Sequence, residues 1–240
     1  MKKLLLVLAI AVTGTFCKGH KESSSYNDVQ KVREVKNFDA IEVSGAIDLT
    51  VLQGTEEGVS VNSTSDEMIA RTKTEVVNGV LKIYFEDKGW NWGGQSDKVS
   101  VKVKFIDLNR IEVSGASTFL AENAIKEKDL KIDLSGASKF VGAVVVKDLK
   151  VLASGACNYK LEGKAENTSI NASGASDIKA YELQTNNCSI DASGASDIKV
   201  RVEKQLDVDA SGGSSVSYKG RGVVKKEDVS GGASIKRLDD

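Results

Sequence analysis

Aspartates are the residues of this sequence whose types and spacing could do chemistry. Five of them recur at two positions of a repeated unit: Asp191, Asp209 and Asp228 lie two residues before a repeated serine, and Asp177 and Asp197 lie four residues after one. Calcium binds through oxygen ligands alone, so aligned carboxylates could hold it. Asp177 with Asp197, and Asp191 with Asp209, are therefore two candidate sets of cation ligands. The favoured interpretation is a solvated charged surface, since Lys179 and Lys199 follow Asp177 and Asp197 by two residues.

Catalytic groups other than carboxylates are sparse. The only histidine, His20, lies close to the N-terminus, outside the repeated part of the chain, so the domain has no candidate for histidine-based catalysis. An enzyme that acts on polysaccharides is one alternative, using two carboxylates, or a cation together with Lys199 or Arg201. The short loops between repeats leave little chain to build a cleft. We therefore predict no catalytic residues.

Both tryptophans, Trp90 and Trp92, lie in a glycine-containing segment, residues 90–94. Flat indole rings can contact sugars or the side chains of a partner protein, so these two residues are the predicted ligand-binding residues. In the alternative interpretation, one indole folds back over the end of the core, since tryptophan is seldom left exposed. A nucleic-acid partner is not expected, because the formal net charge is −1 and no basic patch has interleaved aromatic residues.

The aspartates are positioned by a repeated three-residue motif, which we call the repeated phrase. Ser-Gly-Ala begins at Ser114, Ser135, Ser154, Ser173 and Ser193, and Ser-Gly-Gly begins at Ser211 and Ser230, in steps of 21, 19, 19, 20, 18 and 19 residues. An earlier copy begins at Ser44. Apolar residues within a unit alternate with a period of two, as they do in strands. A unit this short cannot bury its own apolar row, so successive units must stack. The sequence therefore predicts an all-β, right-handed parallel β-solenoid (β-helix) with coils of about 19 residues.

A single domain, residues 35–240, is expected to hold this solenoid. Residues 111–240 form the regular coils, and residues 35–110 are a less regular β part without the 19-residue period. Within the latter, Asn78-Gly79 between two apolar runs is typical of a β-hairpin. This first part is either a cap on the solenoid or a set of irregular coils of the same solenoid.

The N-terminus is typical of an exported protein. Residues 1–17 contain Lys2 and Lys3, an apolar run and then Cys17, and a polar tether, residues 18–34, follows. This signal peptide resembles that of bacterial lipoproteins, in which Cys17 would carry the lipid, although Phe16 occupies a position where a small residue is usual. Ordinary signal cleavage near residues 14–19 is the alternative.

The other two cysteines, Cys157 and Cys188, occupy positions of the repeat that are held elsewhere by serine and by leucine. We expect both to be buried free thiols.

Three segments resemble, in order, a known bacterial family. They are VSGAIDLTVLQG at residues 43–54, NGVLKI at residues 78–83 and LNRIEVSGAS at residues 108–117. The family is the putative auto-transporter adhesin, head GIN domain, and the similarity extends over roughly residues 35–235. Ala46-Ile47-Asp48 stands where the name-giving Gly-Ile-Asn would be. The resemblance implies a right-handed β-helix-like fold and a place in the cell envelope or outside the cell.

The expected function is therefore a surface-binding or adhesion module without catalytic activity. It would be exported and either held in the outer membrane as a lipoprotein or secreted. Its expected partner is a glycan or a surface protein, and only the lipid anchor would contact the membrane. A structural spacer of the envelope is the first alternative, and an enzyme that acts on polysaccharides is the second.

Overall fold

Coils of β-strand stack in parallel along one axis in this computed structural model, which describes residues 29–86 and 98–239. The predicted parallel β-solenoid is confirmed, with neighbouring coils about 19 residues apart in the regular part. Its long strands continue around the corners of a coil and pair in parallel with the next coil. They are β10 (Ile125–Gly136), β11 (Lys139–Gly155), β12 (Asn158–Gly174), β13 (Asp177–Ala192) and β14 (Asp197–Ala210).

Each regular coil has three sides, which strand β12 illustrates. We call residues 158–161 its B side, residues 163–168 its C side and residues 169–172 its A side, which ends at the repeated serine. Side chains alternate between the interior and solvent along each side, because successive residues of a strand point to opposite faces. The alternation is interrupted near the end of the C side, where the consecutive residues Glu166 and Asn167 both stay outside the core.

The core consists of columns in which one position of the coil repeats. The column three residues after each repeated alanine was predicted to be apolar, and it is fully buried from Leu49 to Val216, with Ile235 partly buried. Its rings stack, with centroids 5.2 Å apart for Phe119 and Phe140 and 6.1 Å apart for Phe140 and Tyr159. Stacked rings of this kind add to the free energy of burial.

Glycine makes the corner between the A and B sides. The glycine of each repeated phrase has a positive φ, between +70° and +113°, and each one after Gly45 packs against the same glycine of the coil before. A Cβ atom on Gly174 would lie 2.6 Å from the Gly155 carbonyl oxygen, and that oxygen accepts a hydrogen bond of 2.8 Å from the Ala175 N–H. Both the backbone conformation and the close approach therefore require glycine.

Small polar side chains fill the interior beside this corner. Ser138, Ser176, Ser196 and Ser214 are buried, and each hydroxyl donates to the carbonyl oxygen three residues earlier, for instance Ser138 Oγ to Ser135 O at 2.8 Å. Cys157 takes the same place, and its Sγ lies 3.2 Å from the Ser154 carbonyl oxygen. Cys157 and Cys188 are both buried and free, as predicted.

The early Ser44-Gly45-Ala46 phrase belongs to the same stack as the later copies. Strands β2 (Ala40–Val43) and β3 (Ile47–Gln53) pair in parallel with β8 (Arg110–Val113) and β9 (Thr118–Ala121), and the Ala116 N–H donates to the Gly45 carbonyl oxygen at 2.7 Å. On the other side of β2 and β3 lie β6 (Val80–Phe85) and β7 (Val99–Phe105), also in parallel register. These strands are irregular coils of the solenoid.

The remaining elements of the first part add antiparallel pairing at this end. Strand β4 (Gly58–Ser63) pairs with β7 and with β1 (Val29–Arg33), and β5 (Thr72–Val77) forms the predicted hairpin with β6. Strand β1 consists of residues 29–33, which belong to the segment 18–34 that was predicted as a tether. A short helix that was not predicted, α1 (Asp66–Arg71), is capped at its N-terminus by Ser65, whose hydroxyl oxygen accepts from the Met68 N–H.

The opposite end of the solenoid is an open coil. Strand β16 (Val223–Val229) pairs with β14, and β17 (Ser234–Arg237) pairs with β15 (Ser215–Lys219). No strand in the described part of the chain pairs with the outer edges of β16 and β17. Glu227 is in register with Val208, so a carboxylate stands in a column that is buried and apolar in the coils before it. An inward charge on an edge strand hinders the addition of further strands.

Replacing the corner glycine should test the stacking. We expect Gly174→Ala to lower the free energy of unfolding by about 1–3 kcal/mol, because alanine is strained in the left-handed backbone conformation. The clash of its Cβ with the Gly155 carbonyl oxygen should lower the free energy of unfolding still more. The control is Gly54→Ala, because a Cβ at Gly54 meets no atom within 4 Å. Urea unfolding followed by circular dichroism measures both variants. Equal free energies of unfolding for Gly174→Ala and Gly54→Ala would contradict the role assigned to the stacked glycines.

Removing the charge at the open end should allow rods to associate. We expect Glu227→Val to form dimers or larger assemblies at concentrations where the unaltered protein does not, since an apolar column would then continue to the edge. Asp228→Val removes the same charge from the neighbouring position, which faces outward, and is the matched control. Sedimentation velocity measures the difference, and identical sedimentation of the two variants would refute the explanation.

Candidate functional site

A groove of about 760 Å³ runs along the corner where the C side meets the A side. It crosses six coils, from Asn109 and Arg110 at one end to Gln205 and Asp207 at the other. Its floor is one residue wide and is formed by Leu130, Leu149, Thr168 and Cys188, of which none is more than 4 % exposed. Five steps between coils at about 4.8 Å give the groove a length of about 24 Å.

Polar side chains form the first rim, which we call the amide rim. Its members lie six residues before the repeated serines, in register from coil to coil, and are Asp129, Asp148, Asn167, Asn187 and Gln205. Asn187 Nδ2 donates to Asn167 Oδ1 at 2.9 Å, and Asn167 Nδ2 donates to Asp148 Oδ1 at 2.7 Å. These bonds fix the rotamers of Asn167 and Asn187 before any ligand binds.

The second rim lies on the A side and changes in character along its length. It runs through Lys131, Lys150, Ser169, Ser189 and Asp207, again in register. Asp207 Oδ2 accepts a hydrogen bond of 3.0 Å from Gln205 Nε2, whereas Asp207 Oδ1 is buried and has no hydrogen-bond partner among the described residues. A buried acceptor without a donor is unfavourable, so turning this carboxylate toward a donor in the groove would be favourable.

The thiol in the floor of the groove is held in its neutral form. Burial raises the pKa of Cys188 to about 12, and the negative charge of Asp207 adds to the increase. Thiolates are the reactive form of cysteine, so Cys188 is unreactive near neutral pH. It therefore serves as an apolar floor residue and is a poor candidate for a nucleophile.

The predicted aspartates lie outside the groove, on two other parts of the surface. Asp191 is in register with Asp209, which is in register with Asp228, so the expected alignment on the A side is present. On the B side, Asp177 is in register with Asp197.

Lysines accompany the B-side pair. Lys179 Nζ lies 2.7 Å from Asp177 Oδ2, and Lys199 Nζ lies 2.5 Å from Asp197 Oδ2 and 4.0 Å from Asp177 Oδ1. Hydrogen bonding to Asp197 raises the pKa of Lys199. In residues 29–86 and 98–239, no group of three or more His, Cys, Asp or Glu side chains could hold a metal ion. Cation binding by Asp177, Asp191, Asp197 and Asp209 stays a prediction.

Three other predicted positions, Trp90, Trp92 and Cys17, lie outside the described residues. The segment with both tryptophans joins β6 to β7. No helix within the described ranges has the length and apolar character needed to cross a membrane.

Sequence reasoning missed the groove, although its signal was present. A cleft was expected only in the loops, whereas the groove forms at a corner within the sheet. The visible signal was the recurrence of Asp, Asn or Gln six residues before five successive serines. A pattern of this kind shows that a column is polar. It does not show that the column borders a concave surface, which depends on how sharply the coil bends.

The fold and the groove together define a class of protein, the parallel β-solenoids with a groove parallel to their axis. The model of the family described as "Putative auto-transporter adhesin, head GIN domain" matches residues 37–222, and the chain belongs to that family. The expected resemblance is confirmed. A search of curated proteins found no match.

Several solved structures have a similar fold. A putative adhesin from Bacteroides fragilis NCTC 9343 superposes with a TM-score of 0.81 at 22% identity, covering 89% of this chain and 98% of that one. A putative lipid binding protein from Parabacteroides distasonis ATCC 8503 gives a TM-score of 0.65 at 21% identity, covering 88% and 97%. A putative adhesin from Parabacteroides merdae ATCC 43184 gives 0.61 at 20%, covering 88% and 96%. At these identities the similarity shows the fold alone.

Proposed function

We propose that this protein is an exported, non-enzymatic binding module of the cell surface, and that the groove is its contact surface. The observation that carries the proposal is the groove itself, a preformed concave surface with polar rims, ordered amides and one buried oxygen that lacks a donor. Ligand sites are usually concave, with an apolar floor and a few placed polar groups. Membership of an adhesin-like family supports a role in attachment.

Attachment requires the module to be held outside the cytoplasm. The N-terminal signal peptide would export the chain, and a lipid on Cys17 would anchor it in the outer membrane. The following polar residues would then separate the solenoid from the membrane surface. Ordinary cleavage would instead release the protein.

A change at Cys17 distinguishes the two fates. We expect the unaltered protein, expressed in a bacterium that processes lipoproteins, to fractionate with membranes, and Cys17→Ser to appear in the soluble fraction, because the lipid attaches through the sulfur. Immunoblotting of membrane and soluble fractions measures this. Equal distribution of both proteins would refute the lipid anchor.

Two other functions of the same groove have specific support. One fold relative is named as a lipid binding protein, and the floor of the groove is largely apolar. A polysaccharide-acting enzyme would use paired carboxylates, and the groove contains Asp129 and Asp148 on neighbouring coils. A structural spacer of the envelope, the remaining candidate, would use only the length of the rod and would need no ligand in the groove.

Blocking the groove tests the proposal directly. We expect the soluble protein to bind at least one component of an array of glycans and extracellular-matrix proteins, and Ser189→Arg to abolish that binding, because the long side chain would fill the groove from its rim. The control is Ser100→Arg, the same change at another exposed strand position, on β7. Loss of binding in both variants, or in neither, would contradict the assignment of the groove.

The same array tests the other predicted sites. Loss of binding with chelator, or in the Asp177→Asn, Asp197→Asn double variant, would indicate that calcium contributes. Loss in the Trp90→Ala, Trp92→Ala double variant would assign the contact to the tryptophans. A folded protein that binds nothing, with and without calcium, would support the spacer.

A further inference from the structure

We propose that the groove binds an unbranched glycan in an extended conformation, lying parallel to the axis of the solenoid. We further propose that the Asp207 carboxylate turns toward the groove, so that its Oδ1, which is shielded in the unliganded protein, accepts a hydrogen bond from one of the glycan hydroxyls. This inference rests on the proposed function, in which the groove is the contact surface. It adds the chemical class of the ligand, its direction and its anchoring atom.

The shape of the groove favours a chain as the ligand. The floor is one residue wide and crosses six coils, so the groove is long and narrow. A globular partner needs a contact of roughly 800 Å² on each side, which a channel of this width cannot offer. A linear polymer fits it along the whole length.

An extended peptide is disfavoured by the backbone around the groove. Peptides that bind to β-proteins in extended form add a strand to a free sheet edge, using backbone hydrogen bonds. The strands that line the groove are already paired in parallel on both sides from the third to the fifth coil, as in β11, β12 and β13. They leave no row of free N–H and C=O groups for a peptide.

An acyl chain is disfavoured by the rims. It could cover the apolar floor, but it would also exclude water from the amides and leave Asp207 Oδ1 without a donor. Polar groups that are buried without a hydrogen bond oppose binding. A lipid would therefore leave the most demanding atom of the groove unsatisfied.

A glycan can contact both the apolar floor and the polar rims of the groove. The C–H faces of sugar rings can pack on the floor at Leu149, Thr168 and Cys188, while hydroxyls act as donors and acceptors at the rims. Each amide has two N–H groups and one oxygen with two lone pairs. Asn167 and Asn187 each use one N–H in the ladder of the amide rim, so each keeps an N–H for a ligand.

The spacing of these groups agrees with a repeating ligand. The amide rim presents one polar side chain per coil, about every 4.8 Å along the axis. A polymer with regularly placed hydroxyls can therefore contact several coils in succession. Asp207, near one end of the row, marks where the chain is held most strongly, because a hydrogen bond to a charged acceptor is stronger than one between neutral groups.

The test uses isothermal titration of the protein with linear hexasaccharides of β-1,4-linked glucose, N-acetylglucosamine and mannose. We expect at least one of them to bind, its disaccharide to bind more weakly, and Asp207→Asn to weaken binding of the hexasaccharide tenfold or more. The control is Asp48→Asn, the same change at an exposed position of β3 outside the groove, which should bind as the unaltered protein does.

A second variant protects the test against a folding defect. Asp207→Ser introduces the residue that stands at this position in two earlier coils, as Ser169 and Ser189, so the coil should accept it. It removes the carboxylate, and we expect the same tenfold or greater loss. Unfolding curves that match the unaltered protein would verify that both variants fold.

The outcomes separate this inference from the proposed function. Hexasaccharide binding that Ser189→Arg abolishes but Asp207→Asn and Asp207→Ser leave unchanged would overturn the anchoring atom alone. Binding to matrix proteins or to phosphatidylcholine vesicles, blocked by Ser189→Arg and with no glycan bound, would overturn the glycan and keep the groove. Hexasaccharide binding that survives Ser189→Arg would overturn both.

Discussion

The contact between stacked glycines is the constraint on which the rest of this structure depends. From Gly45 to Gly231, eight glycines meet in one column, and a Cβ on any of the later seven would lie within 3.0 Å of the carbonyl oxygen before it. At each step the next residue donates its N–H to that oxygen. The corner therefore sets both the distance between coils and their register, because a side chain there would force the coils apart.

Register at one corner determines what every other column contains. Since side chains alternate along a strand and the corner is fixed, residues at a constant distance from the repeated serine stack above one another. Position minus two makes the aspartate column of Asp191 and Asp209, and position minus six makes the amide rim. These columns differ in surroundings more than in composition. The first lies on an open side, where water solvates the charges, whereas the second borders a concave corner where a ligand can exclude water.

The sequence supports prediction of the fold because the same evidence recurs in each coil. A period of two between apolar residues, a glycine every 19 residues or so and the Asn78-Gly79 turn each have one local cause, and all were located correctly. Two features depended on distant contacts and were not predictable in this way. Residues 54–109 separate the Gly45 coil from the Gly115 coil, yet the two stack directly. Helix α1 is six residues long and is placed by its cap at Ser65 and by burial of Ile69.

The groove was harder to predict for a different reason. A repeat specifies what its units share, and the units share stacking, so the repeated positions describe architecture. Specific binding needs groups that differ from one coil to the next. Such departures concentrate at the groove. In the column of Ser169 and Ser189, Asp207 brings a carboxylate with one unpartnered oxygen. In the column of Leu130 and Leu149, Thr168 and Cys188 replace leucine. Positions that break a local rule in an otherwise consistent sequence are where function is expected. In a solenoid, the residues that fail to repeat are therefore better guides to a binding site than the motif that does.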